Sequence, residues 1–202
     1  MITIDVLKMY FLQVTPKAIR YRLLFVSLIV FIGCNMTKIN VFAQHHRIEN
    51  IYQVSLADFQ GDRKTNSFPI YISVEVLYKI DSVFKIAKNK FRLKVVTMVK
   101  IHKDQSFLDL AEIDKQNLPY LLKHEQGHVL ITYAAANFIE KDLSAKVYTE
   151  DFIGEVKHFF LKASVRYLKL NQLYDEQTDH SRDYRAQQKW NEKMKVLFNE
   201  SY

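Results

Sequence analysis

His124-Glu125-Gln126-Gly127-His128 is the stretch of this chain whose residue types and spacing could do chemistry. Two histidines four residues apart share one face of a helix, a turn from each other, so both imidazoles can reach one metal ion. The glutamate after the first histidine projects beside that ion. There it can take a proton from metal-activated water and pass it to a leaving amine. Zinc suits two nitrogens and a third protein ligand, with one position left for water. An H-E-x-x-H arises by chance in roughly one of a hundred shuffled chains of this composition. Gly127 inside a helix costs about 1 kcal/mol relative to alanine, which marks close packing or a site.

The pair needs a long helix beneath it and a third donor from elsewhere. From residue 117 the apolar period is helical: Asn117 can cap, Pro119 suits a first turn, and Leu121, Leu122, Ile131, Ala135, Phe138 and Ile139 recur to about Leu143. A second helix is predicted from Thr149, with Glu150 and Asp151 in its first turn, through Val156, Phe160 and Tyr167 to about Leu173. Each spans about 36 Å, and the short link favours antiparallel packing. The chain then returns at residue 174 to the level of His124 and His128, and a polar break is predicted over 175–183. His180 is the first choice for third ligand, with Asp175 and Asp179 as alternatives or as acceptors that orient an imidazole. Tyr184, just past His180, could stabilise an oxyanion or pack in the core. A third helix is predicted from Tyr184 to Phe198, with Trp190, Met194 and Leu197 on one side. His45 and His46 adjoin the expected processing point and read as disordered, and His102 and His158 read as ordinary surface or packed histidines.

Ahead of the helices, Ile70–Tyr78 is rich in β-branched and aromatic residues and reads as a strand. Phe91–His102 alternates, with Phe91, Leu93, Val95, Val99 and Ile101 on one face and Arg92, Lys94, Lys100 and His102 on the other. Gln60–Asn66 is a polar turn. A small sheet followed by three helices is an α+β order, and a zincin-like one with H-E-x-x-H on the first long helix.

The composition bounds the rest. Apolar residues at 49% and charged residues at 25% of 202 are globular values, and one cysteine excludes a disulfide framework. The net charge of +7 is uneven: residues 1–43 hold five basic groups and one acidic, and 44–202 hold 24 and 21. A surplus of +3 without a basic stripe argues against a nucleic-acid partner. Basic Lys17–Arg22 followed by twelve uncharged residues, Leu23–Cys34, is too short to span a membrane and matches a secretory signal. Cleavage after Ala43 would release a single domain over 44–202. Lipidation of Cys34 would instead anchor it as an outer-membrane lipoprotein. Either way the chain is expected to be exported, periplasmic or secreted.

Leu56-Ala-Asp-Phe59 with Gly61, Leu121-Leu-Lys-His-Glu-Gln-Gly-His128, and Tyr174-Asp-Glu-Gln-Thr-Asp-His180 with Gln188 and Trp190 together resemble a bacterial family. It is the secreted group called domain of unknown function 922, described as zinc-dependent proteases. The similarity runs over about residues 50–198. It implies a zinc hydrolase acting on a peptide or protein substrate, with His124, His128 and His180 as ligands and Glu125 as catalytic acid/base. Gln177 stands where the family usually has an acid, and Ser181 where many members have glycine. A non-catalytic, metal-stabilised, envelope-associated binding protein is the alternative.

Overall fold

The structure, a computed structural model, describes residues 51–63 and 68–201. The expected leader, Cys34, Ala43, His45 and His46 lie outside the described residues.

Among the described residues four strands precede three α-helices, the α+β order expected: β1 (Ile70–Tyr71), β2 (Val74–Ala87), β3 (Lys90–Ile101), β4 (Phe107–Leu108), α1 (Leu118–Ala145), α2 (Phe152–Thr178) and α3 (Tyr184–Glu200). β2 and β3 form a long antiparallel ribbon, and β1 pairs with β4 in a second small sheet. The strand expected over 70–78 is thus two strands. Between them the Ile72 N–H donates to the Glu125 carboxylate at 2.9 Å and the Ser73 N–H to Ser106 Oγ at 2.9 Å. Backbone donors committed to side chains cannot continue a ladder, so the strand breaks there. Beyond Tyr78, β2 continues through the lysine-rich run to Ala87, which no alternation of polarity announces.

On β3 the inward positions Leu93, Val95 and Thr97 are buried and Arg92, Lys94 and Met98 are exposed. Helix α1 closes the outer edge of β3. The Val95 N–H reaches Ser144 Oγ at 3.2 Å and the Thr97 N–H reaches the Glu140 carboxylate at 2.7 Å, while Thr97 Oγ1 donates to the Ala136 carbonyl at 3.1 Å. An edge covered this way offers no template for another strand.

α1 is the hub. Val129, Ile131, Ala134, Ala135, Ala136, Ile139 and Leu143 are all fully buried, a helix apolar around most of its circumference because neighbours surround it. One side packs with Ile51, Ile72 and Phe198, the other with Tyr174, Trp190 and Met194. Residue pairs 124–175, 128–171 and 138–167 run in opposite senses along α1 and α2, so the two helices are antiparallel. No helix among the described residues is long and apolar enough to cross a membrane.

The helix ends differ from expectation. Asn117 occupies the cap position of α1 but makes no side-chain cap bond. α2 begins at Phe152, after Asp151, because Glu155 turns back to the Thr149 backbone and hydroxyl and holds that residue outside the helix. Asp183 does cap α3, accepting from the Ala186 N–H at 2.9 Å.

The segment before β1 is fastened by Asp58, a fully buried carboxylate. It accepts from Tyr52 Oη at 2.5 Å, the Ser55 N–H at 2.8 Å and Lys103 Nζ at 2.9 Å. Burial would raise the Asp58 pKa, but these donors outweigh it and the net shift is downward. A depressed folded value means that the stabilisation is complete above the ordinary value of 3.8 and fades as pH falls through the folded one. Asp58→Asn is therefore expected to lower stability by about 3 kcal/mol at neutral pH and to flatten the acid limb of the stability curve. Urea denaturation across pH measures both.

Candidate metal centre

Helix α2 does not stop near Leu173 but continues to Thr178, so residues 175–178 of the polar break expected over 175–183 are its last turn, and only 179–183 form the break. This extension decides which side chain meets the histidine pair. Asn171, Tyr174, Asp175 and Thr178 fall at three- and four-residue steps on one face of α2. Asp175 sits level with both imidazoles: its Oδ1 lies 3.1 Å from His124 Nε2 and 3.0 Å from His128 Nε2. Among the described residues these three form a group whose donor atoms all lie within 4.8 Å of one another.

The other ring nitrogens fix the protonation. Gln187 Nε2 donates to Tyr174 Oη at 2.7 Å and to Asn191 Oδ1 at 2.9 Å, so its carbonyl oxygen faces His124 Nδ1 at 2.9 Å and must accept from it. Asn171 Nδ2 donates to the Tyr167 carbonyl, so Asn171 Oδ1 likewise accepts from His128 Nδ1, at 2.9 Å. With Nδ1–H spent in each ring, the two Nε2 atoms present lone pairs to a carboxylate oxygen. Three acceptors aimed at one another require a cation between them. The donor set therefore fits a divalent metal with nitrogen and oxygen ligands, and ligand atoms on one zinc stand about 3.3 Å apart.

Without a metal, a proton fills that role. Burial pulls the His128 imidazole down, but the Asp175 carboxylate and Asn171 more than offset it, and His128 is raised to about 9. Burial would lift Asp175, yet the two imidazoles hold it well below the usual carboxylate range. A metal entering the site would displace that proton.

Glu125 is buried beside His124, which pushes its carboxyl upward against the opposing charges of the two imidazoles. Its Oε2 is held by the Ile72 N–H across the break between β1 and β2. Tyr71, one residue earlier, stacks on Phe107. Burial raises its phenol first, a hydrogen bond to Ser73 opposes, and the charges of Glu125 and Asp175 add to the rise. Tyr71 is thus a neutral donor within electrostatic reach of both carboxylates.

His180 lies just past the end of α2, with Nδ1 3.8 Å from Asp175 Oδ1 and its ring stacked on Phe68 at 3.8 Å. Burial lowers its pKa. Asp179, His180 and Ser181 have φ of 47°, 50° and 73°, three consecutive left-handed residues of which none is glycine. Such conformations cost about 1 kcal/mol or more each and persist where surrounding contacts over-determine them. Asp179 does not join the site: it is exposed and paired with Arg182 at 3.0 Å, because the left-handed turn points it to solvent. Tyr184 does not join it either. It is 59% exposed and lies against Tyr120, since α3 starts with that face outward. Gln177 accepts from Trp190 Nε1 at 3.0 Å.

The remaining letters of the motif acquire structural roles. Gln126 clamps the segment before β1, accepting from the Val54 N–H at 2.8 Å and donating to the Tyr52 carbonyl at 2.9 Å. A Cβ on Gly127 would fall 2.4 Å from Tyr174 Oη. Tyr174 is fully buried, stacks on His124 at 4.6 Å and donates to the His124 carbonyl at 3.1 Å. It cannot yield without disturbing the ligand beside it. Gly127→Ala is expected to destabilise the fold by about 2 kcal/mol and to weaken metal retention, a pairing read by denaturation with and without chelator.

Sequence reasoning missed Asn171, Gln187 and Tyr71. Asn171 could have been found four residues before Asp175 on a longer α2. Gln187 and Tyr71 carry no local signal, because contacts between separate elements bring them in. No family model, curated protein or solved structure matches this chain.

Proposed function

We propose that this protein is a zinc-dependent peptidase. The observation that carries the reading is the convergence of two Nε2 lone pairs from an H-E-x-x-H helix on the Asp175 carboxylate, with Glu125 buried beside them. His124, His128 and Asp175 would hold the metal, and His180 stands next to the set. When bound, zinc supplies Lewis acidity that polarises a carbonyl and acidifies water.

The chain's own groups do the rest. Gln187 and Asn171 keep both imidazoles in the tautomer that offers Nε2. Glu125 takes the proton of the attacking water as the new C–O bond forms. It returns that proton to the amine nitrogen as the C–N bond breaks. The Ile72 N–H anchors one carboxylate oxygen and so fixes the direction in which the other points. Tyr71, whose phenol feels the charges of Glu125 and Asp175, is the residue we assign to donate to the oxyanion that develops on the carbonyl. Similarity of the H-E-Q-G-H and Y-D-E-Q-T-D-H blocks to the secreted zinc-protease family supports the same reading, as does the basic-then-apolar N-terminus for export.

The test is zinc content of the purified chain together with cleavage of a mixed peptide library, read by mass spectrometry. About one zinc per chain with chelator-sensitive cleavage supports the proposal. A metal-free chain, or cleavage indifferent to chelator, sinks it. A second reading, a metal-stabilised binding protein without turnover, is favoured by the Glu125–Ile72 bond, which uses the carboxylate as a structural acceptor. It expects zinc without cleavage, and an amide at position 125 would serve it equally well.

A further inference from the structure

The β2–β3 ribbon is where the charge of the domain is concentrated. Residues 74–101 contain seven basic residues and two acidic, net +5, whereas the rest of 44–202 contains 17 and 19, net −2. A whole-domain sum of +3 conceals this division. Cross-strand partners share a face, and on the face turned away from α1 the register sets Phe84 beside Arg92, Ser82 beside Lys94 and Leu77 beside Met98. Cations and apolar side chains are therefore interleaved on one solvent-facing surface. Phe84 is 54% exposed and Met98 53%, at positions where an ordinary soluble face would be polar.

Towards the turn the ribbon runs past the helices and both faces become exposed. Ile86 is 48% exposed, with Lys85, Lys88 and Lys90 around it and Asn89 turning the chain at φ 55°. Among the described residues, Lys94 is the one cation of the ribbon in an ion pair, with Asp81 at 3.2 Å. Lys79 also feels the Asp81 charge and Lys100 lies opposite Glu75, whereas Lys85, Lys88, Lys90 and Arg92, towards the turn, form no ion pair among the described residues, and Phe84, Ile86 and Met98 stay about half exposed.

We propose that this ribbon face is a docking surface for an anionic lipid bilayer. The occupant is argued from complementarity of two kinds at once. Lipid phosphates neutralise the unpaired cations, and the acyl boundary accepts Phe84, Ile86 and Met98 between them. A nucleic acid would satisfy the charges but calls for stacking aromatics, and Phe84 is the one aromatic ring on the outward face. An acidic protein would leave the aliphatic side chains without a matching layer. The docking does not depend on the metal or on the proposed hydrolysis.

Sedimentation of the full chain with phosphatidylglycerol-containing vesicles tests this, beside vesicles of phosphatidylcholine alone. Binding is expected to the anionic vesicles and to fall as ionic strength approaches about 1 M, where charges are screened within about 3 Å. Lys88→Gln/Lys90→Gln/Arg92→Gln should weaken it on the order of a hundredfold, at about fivefold per cation near the surface. Phe84→Ser should weaken it about tenfold at every salt concentration. Arg185→Gln/Lys189→Gln, exposed cations on α3, should leave it unchanged. Circular dichroism identifies any variant that fails to fold, and Arg92→Lys, which keeps the charge, should still bind. Equal binding to both vesicle types, or binding that survives the triple substitution, would trace attachment to another segment and overturn the proposal. So would tighter binding to an oligonucleotide that ignores Phe84→Ser.

Discussion

Glu125→Gln should retain its zinc and hydrolyse peptides about a thousandfold more slowly than the parent chain. The substitution preserves size and an acceptor oxygen, so the 2.9 Å bond from the Ile72 N–H survives and the β1–β2 break keeps its shape. What disappears is a group able to accept a proton from water and release it to an amine, a role worth about 10²–10⁴ in rate. Metal content remains because Glu125 is not among the three donors that converge. Atomic absorption and steady-state cleavage of one substrate from the library are the measurements. An unchanged rate would remove Glu125 from the chemistry and with it the peptidase reading. Absent hydrolysis in the parent chain, with zinc bound, would leave the binding-protein reading standing.

Asp175→Ala should cost more zinc affinity than His180→Ala. Asp175 Oδ1 lies 3.0–3.1 Å from both Nε2 atoms, so its loss removes from the site a carboxylate oxygen within hydrogen-bond distance of both rings. His180 Nδ1 stands 3.8 Å from that oxygen and its ring is already stacked on Phe68. Its removal is expected to lower affinity by about 10–100-fold, the range of a group that supports a ligand rather than being one. Asp175→Ala should exceed that range. Competition with a chromophoric chelator gives both constants, and Asp175→Asn checks that the loss follows the charge rather than the packing of α2. The reverse order would make His180 the third ligand, as the family resemblance implies.

The two proposed activities are physically separate. The proposed metal centre lies between α1 and α2 with Asn171 and Gln187 behind it, whereas the cationic face is the side of the ribbon turned away from α1. Substitutions in the ribbon should therefore change vesicle binding without changing zinc content, and Glu125→Gln should do the opposite.

Much of this was legible from local pattern. Spacing of four on a helix is enough to bring His124 and His128 to one face, and alternation along Phe91–Ile101 is enough to orient β3, since both follow from backbone periodicity. Even so, Thr97 occupies an inward position of that strand because Glu140 and the Ala136 carbonyl satisfy it, a partnership between residues more than 35 apart. The third donor was beyond local pattern for a related reason. Whether residues 175–178 coil as helix or loop depends on Tyr174 being buried against α1 and on Thr178 being buried with its hydroxyl on the Tyr174 carbonyl, and periodicity weakens where a helix end is polar.

Residue order alone thus pointed to an H-E-x-x-H on a long helix, with acidic and imidazole groups returning to its level. Folding in three dimensions selected Asp175 over Asp179, recruited Gln187 and Asn171 to set the tautomers, broke the first strand on Glu125, and gathered scattered lysines onto one ribbon face. The first group rests on interactions within one turn or one strand. The second rests on packing between elements far apart in the chain, whose outcome no window of neighbouring residues contains.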